Sequence, residues 1–289
     1  MTWRTVVITR KCKLSYKNNY LLVRNEKVEM IHLSEINTII VDSTMVSITT
    51  YLLVELVKNK IKLVVCDNER NPLGEFVPYY GRYNSSKIIQ KQIHWEVDTS
   101  QNVWTTIIKQ KIINQAKLLS KLDIDTANLI YEYHDGVRLY DVTNREGHAA
   151  KVYFNSLFGK NFTRDDDSSI NKALNYGYSI LLSNFNKEIV SCGYLTQIGL
   201  KHCNEYNYFN LSSDLMEPYR ILIDEIVYEN RFDRFDGGFK LKLIGVLNKK
   251  ILIDGKEQYV SNALSIYVKS VFNSLDTGEV NQLSLYDFV

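Results

Sequence analysis

Hydrophobic periodicity changes once along this chain, and that change most restricts what the chain can fold into. Up to about residue 80 the apolar residues fall in short runs, TVVIT, KLSY, YLLV, VEMIHL, NTIIVD and IKLVVCD, which is the pattern of β-strands. KLSY and YLLV flank Lys17-Asn18-Asn19, which resembles a hairpin turn. One segment departs from this pattern: in SITTYLLVELVKNK, Leu52, Leu53, Leu56 and Val57 recur at helical spacing. The N-terminal part is therefore expected to be a sheet with a single helix packed on it.

NPLG (71–74) reads as a turn, and VPYYGRYN follows it with a further proline and a glycine. Beyond them the period becomes helical, so the domain boundary is placed between residues 76 and 77. NVWTTIIKQKIINQAKLLSKL, DTANLIYEYHD, NREGHAAKVYFNSLF, INKALNYGYSILLSNFNKEIV and PYRILIDEIVYEN all have the spacing of amphipathic helices. The expected fold is a multidomain α+β protein, with a β-rich N-terminal domain (1–76) followed by an all-helical C-terminal domain (77–289). SLDTGEVNQLSLYDFV reads either as a loose tail or as a short docking element.

Composition narrows the class. At 289 residues, with 45% hydrophobic and 24% charged residues, the chain has the make-up of an ordinary globular protein. A net charge of only +2 means that any nucleic-acid surface must arise from local segregation of charge. Cys12, Cys66, Cys192 and Cys203 form no CxxC pair, so reduced thiols and a cytoplasmic location are expected. The sequence has neither the apolar run of a signal peptide nor one long enough for a membrane span.

Three distant segments carry residue types suited to a hard divalent cation: Glu146 in TNREGHAAKVYF, His202 in IGLKHCNEYN and Glu217 in NLSSDLMEPYR. Two carboxylates and a neutral imidazole balance one divalent ion and leave coordination positions open, which points to catalysis on phosphodiesters. Each residue also has a plainer reading. Thr143-x-x-Glu146 fits a capping box, and an isolated histidine such as His202 often serves only as a hydrogen-bonding group. Asp214 and Glu217 share one face if SSDLME is helical, which makes Asp214 a further candidate ligand, while Pro218 should kink the chain beside them. Asp165-Asp166-Asp167 reads as a solvated loop leading into the cap of the next helix rather than as an active centre. Cys203 next to His202 lacks the second close pair that a zinc finger needs.

EGHAAKVYF, NKALNYGYSIL and GLKHCNEYNYFNLSSDLMEPYR, together with the strand-rich segment before them, resemble the CRISPR-associated adaptation integrase. This is the larger of the two proteins that insert new spacers into a CRISPR array. DLMEPYR and NYGYSILL are most similar to the branch that accompanies a single-protein (type II) effector nuclease. The resemblance implies a β-rich domain that pairs two copies, a helical catalytic domain, and metal ligands at Glu146, His202 and Glu217. It further implies Mg2+ or Mn2+ as cofactor, and an integrase or endonuclease reaction in which a 3′ hydroxyl of a short duplex attacks a phosphodiester at a repeat end. The implied partners are double-stranded DNA (prespacer and repeat), a second copy of the chain, a small dimeric subunit bridging two such dimers, other adaptation proteins and the effector nuclease. Arg138, Arg145, Lys151, Lys201 and Arg220 are the candidate phosphate contacts, provided they cluster around the acids. RFDRFDGGFKLKLIG gives a weaker nucleic-acid signal that a turn into a short hairpin explains equally well. The rival functions are a stand-alone metal-dependent nuclease acting on branched or single-stranded DNA, and a non-catalytic DNA-binding scaffold.

Overall fold

In the computed structural model, which describes residues 4–79 and 81–288, Asn18 and Asn19 both adopt positive φ (49° and 65°) between the paired residues Lys17 and Tyr20. This is the two-residue turn whose twist matches that of its strands. The chain divides into two compact units, Met1–Gly81 and Arg82–Val289.

The first unit contains β1 (Arg4–Ile8), β2 (Cys12–Lys17), β3 (Tyr20–Arg24), β4 (Val28–His32), β5 (Ile36–Val41), β6 (Val46–Ile48), α1 (Thr50–Lys58), β7 (Lys62–Cys66) and β8 (Pro72–Phe76). The expected single sheet is two sheets, ordered β1-β5-β7-β8 and β4-β3-β2-β6. Their apolar faces and α1 share one core that includes Ile8, Leu14, Leu21, Ile36, Ile39, Leu52, Leu56 and Leu63. Thr49 caps α1 by accepting from the Leu52 N–H. NPLG is not the turn. The reversal occurs just before it, where Asp67 Oδ1 accepts from Glu69 and Asn71 N–H (both 2.9 Å) and Arg70 takes φ 64°. Pro72 then opens edge strand β8, where a missing N–H is tolerated.

The second unit contains α2 (Ser85–Ile93), α3 (Val97–Lys121), α4 (Ala127–Asp135), α5 (Arg145–Phe158), α6 (Ser169–Cys192), α7 (Asn210–Leu215), α8 (Ile221–Glu229), α9 (Gly237–Ile244), β9 (Lys250–Ile253), β10 (Lys256–Tyr259), α10 (Val260–Thr277) and β11 (Tyr286–Asp287). α3 is central: it packs against α4, α5, α8 and α10, and buries Val103, Ile107, Ile108, Ile112, Ala116 and Leu119. α6 and α8 meet closely at Gly177, where a Cβ would lie 2.4 Å from Ile223. Ser168 caps α6 after the exposed aspartate run, as the sequence suggests. Among the described residues no helix is long and apolar enough to cross a membrane.

This unit is mainly helical, but it also carries a three-stranded sheet, ordered β10-β9-β11. The overlooked signal is Asp254-Gly255, both at positive φ between paired Ile253 and Lys256, which is a hairpin turn by composition. RFDRFDGG, in contrast, makes no hairpin: Asp236 accepts from Gly238 and Phe239 N–H and starts α9. Of the two readings of the C-terminal residues, docking is correct. β11 pairs with β9, Tyr286 is 1% exposed, and its hydroxyl donates to the Pro218 carbonyl at 2.7 Å. Removing that donor with Tyr286→Phe should cost about 1–2 kcal/mol of unfolding free energy in a denaturant titration, the loss being limited because Asn114 still donates to this carbonyl. A variant as stable as the wild type would show that the tail bond contributes nothing.

Candidate functional site

Lys111 lies on the face of α3 that buries Ile107, Ile108 and Ile112, so its ammonium is delivered to the interior rather than to water. The side chain is 12% exposed; Nζ donates to Glu146 Oε1 and lies 2.6 Å from Glu217 Oε2. The other Glu217 oxygen meets the Arg220 guanidinium at 3.1 Å. Burial pushes the Glu217 carboxyl upward, but Arg220 and Lys111 outweigh it and hold the group at about 2. Lys111 also stays charged, since Glu217 and Glu146 overcome the burial that works against its ammonium.

Glu146 stands in the first turn of α5, and the capping box is not formed. Asp141 instead accepts the Arg145 and Glu146 N–H groups (2.8 and 3.0 Å), while Thr143 Oγ1 is buried without a partner. With its helix start capped by another acid, the Glu146 side chain is left to reach Lys111. Tyr140, Asp141 and Asn144 all sit at positive φ, so the approach to this helix holds backbone strain.

His202 lies in the loop between α6 and α7. Its Nδ1 is 2.5 Å from Asp214 Oδ1, and the edge-on ring of Trp104 lies 6.1 Å away. Asp214 is fully buried and also accepts from the N–H groups of Leu200 (2.6 Å), Lys201 (3.0 Å) and His202 (3.2 Å). Its oxygens are thus committed to the loop, and its role here is to orient the imidazole, leaving Nε2 as the ring nitrogen for another partner. A Cβ on Gly199 would lie 2.4 Å from the His202 carbonyl oxygen and 2.7 Å from Asp214 Oδ2, so the loop needs glycine there. The Asp214 hydrogen bond raises the His202 pKa, and the Glu217 carboxylate adds to the rise. Where the sequence suggests a kink, the helix breaks: α7 stops at Leu215 and gives way to a 3-10 turn, Glu217–Tyr219, before α8 begins, so Asp214 and Glu217 do not share one helix.

Glu146 and Glu217 therefore converge on one ammonium, with His202 near enough to feel the charge of Glu217. Among the described residues no group of three or more His, Cys, Asp or Glu side chains is held together as a preformed metal cage. The donor chemistry fits a divalent cation all the same. Glu217 Oε2 is buried and, although Lys111 lies 2.6 Å away, it receives no properly aligned hydrogen bond.

Beside these groups is a cleft of about 210 Å³ lined by Lys111, Gln115, Glu146, Arg164, Glu217, Arg220 and Asp224, among others. Of the five basic candidates only Arg220 lines it. Arg145 stacks over Tyr133, Lys201 lies 3.7 Å from the Tyr140 ring centre, and Arg138 and Lys151 are exposed. The sequence reading missed Lys111, Arg164 and Asp224. Lys111 and Asp224 do carry a signal, since each interrupts an apolar face, in IIKQKII and RILIDEIV. Arg164 is fixed by Asn171 (2.5 Å) and Asn175 (2.7 Å) and lies over the Tyr178 ring.

The family model for CRISPR associated protein Cas1 matches residues 5–231. The CRISPR-associated endonuclease Cas1 of Neisseria meningitidis serogroup C (strain 8013) is 33% identical over 292 residues, covering 99% of this chain and 96% of its own. In fold the chain is similar to a casposase bound to integration product (TM-score 0.75, 19% identity, 96% of this chain and 92% of that one). It is also similar to part of a chain in a Cas6-RT-Cas1–Cas2 complex (TM-score 0.75, 18% identity), covering 99% of this chain but only 36% of that longer one.

Asp224 gives a pH signature. Burial pushes its carboxyl up to about 6, against the hydrogen bonds from Tyr178 and Tyr153 and the charges of Arg164 and Arg220. The unfolded chain loses this proton near pH 3.9, so between the two values the folded form holds it and the unfolded form does not. Stability therefore falls as pH rises through that window. Asp224→Asn should flatten the melting-temperature profile between about pH 4 and 7, a difference on the order of 3 kcal/mol across the window. Parallel profiles for variant and wild type would refute the raised value.

Proposed function

The chain belongs to the CRISPR-associated Cas1 family, and from that premise we propose that it is a metal-dependent DNA integrase that inserts short duplexes as new spacers into a CRISPR array. The observation that carries this reading is the convergence of Glu146 and Glu217, beside His202, on the rim of a cleft that also presents Arg164 and Arg220.

In the proposed mechanism Glu146, Glu217 and His202 would hold Mg2+ or Mn2+, the histidine making manganese a natural fit. A bound cation would supply Lewis-acid chemistry there, polarising the scissile phosphate and lowering the pKa of a 3′ hydroxyl. The protein's own groups do the rest. Asp214 keeps the His202 ring in one orientation through Nδ1. Asp141 holds the start of α5, so that Glu146 points at the site. Arg220, anchored on Glu217 and lying over Tyr178, keeps positive charge next to the phosphate path, and Arg164 does so farther along the cleft.

The fold relative in the Cas6-RT-Cas1–Cas2 complex supports a small Cas2-type partner for this chain. Two active centres acting on the two DNA strands call for a dimer of this chain, bridged to a second dimer by that partner.

In a strand-joining assay on supercoiled repeat DNA with the small partner present, Glu146→Ala, His202→Ala and Glu217→Ala should each lower product by about 100-fold or more. A donor ending in a dideoxynucleotide should give none. Joining that survives all three substitutions would support the scaffold reading. Metal-dependent cleavage without joining, indifferent to the 3′ hydroxyl, would mark a stand-alone nuclease.

A further inference from the structure

Lys111 bridges the two acids of this cluster. Its ammonium is shared by two acids that come from different elements, the start of α5 and the turn after α7. With ordinary charged contacts of about 2.8 Å, a shared ammonium keeps two oxygens within roughly 5.6 Å of each other. The acids are thereby gathered around a common point without forming a coordination shell. Glu146, Glu217, Lys111 and Arg220 carry two negative and two positive charges, which cancel. A neutral cluster has no net attraction for a further cation. Lys111 also lines the cleft, which gives its flexible stem a space of about 210 Å³ into which the ammonium can withdraw. The buried Glu217 Oε2 that it faces without an aligned hydrogen bond is the atom it gives up most readily.

We propose that Lys111 is a tethered placeholder cation: it occupies the shared position between Glu146 and Glu217 in the metal-free protein, and a divalent ion binds only by displacing it. Lys111 thereby weakens metal binding while stabilising the metal-free fold. The inference rests on the reading of Glu146 and Glu217 as metal ligands.

The test is Mn2+ titration of the metal-stripped full-length protein by calorimetry, with melting temperatures taken with and without Mn2+. Neither readout needs DNA or activity. Lys111→Met should bind Mn2+ about tenfold or more tightly than wild type, melt lower without metal, and gain more from Mn2+. Lys111→Gln, which keeps a donor for the acids and guards against a misfolded methionine variant, should shift in the same direction. Lys111→Arg, which keeps the charge, should stay near wild type. Unchanged or weaker Mn2+ binding by Lys111→Met and Lys111→Gln, with Glu146→Ala still abolishing binding, would overturn the placeholder and leave the metal site standing. Mn2+ binding by Glu146→Ala equal to that of wild type would overturn the site itself and the placeholder with it.

Discussion

A carboxylate 6% exposed to solvent has to be paired, and the arrangement around Glu217 follows from that requirement. Taking such a group out of water costs several kcal/mol unless opposite charges approach with good geometry. Here one oxygen meets Arg220, three residues on, and the other faces Lys111 from α3. The second contact forces a lysine onto the apolar side of the longest helix in the unit. It also brings in Glu146, whose charge balances the excess that two cations around a single carboxylate would leave. Helix packing and site charge are thus parts of the same solution.

The other acids show how differently carboxylates are used within one small region. Asp214 spends its lone pairs on three backbone N–H groups and an imidazole, which turns the segment around Gly199 into a rigid holder for His202. Asp141 takes over the start of α5. Asp224 faces two phenols with the arginines at longer range, so burial dominates and its carboxyl rises, whereas the direct contacts of Glu217 with Arg220 and Lys111 hold that carboxyl low. The sign of each shift follows from whether the nearest neighbours are charged or merely polar.

Much of the fold could be read in the residues, because runs such as NTIIVD and the helical spacing in INKALNYGYSILL bear directly on burial. What escaped depended on context. β6 is a three-residue strand whose pairing is decided by β2, far back in the sequence, and Pro72 looks like a turn residue until the edge it occupies is known. Glu146, His202 and Glu217 stand out in their motifs as candidates, and the structure brings the two glutamates to one ammonium. The orienting role of Asp214 was hidden because three-residue spacing implies a shared helical face, whereas Pro218 turns that stretch into a 3-10 segment. Lys111 was hidden for the opposite reason: lysines on amphipathic helices ordinarily face water, and only the placement of two acids opposite makes this one interior.

Glu217 also depends on the far end of the chain. The carbonyl of the next residue, Pro218, accepts from Asn114 of α3 at 3.2 Å and from Tyr286 of β11 at 2.7 Å. Within the 3-10 turn the Tyr219 N–H donates to the Met216 carbonyl at 2.9 Å, and the two side-chain donors anchor the turn from outside through the Pro218 carbonyl. Asn114 lies three residues beyond Lys111 on the same helix, so α3 holds the Glu217 turn by its backbone and its carboxylate together. The C-terminal strand completes the clamp from the other side. Loosening that strand would disturb the carboxylate most exacting in its pairing, which couples the docking of the last residues to the geometry of a site assembled more than sixty residues earlier.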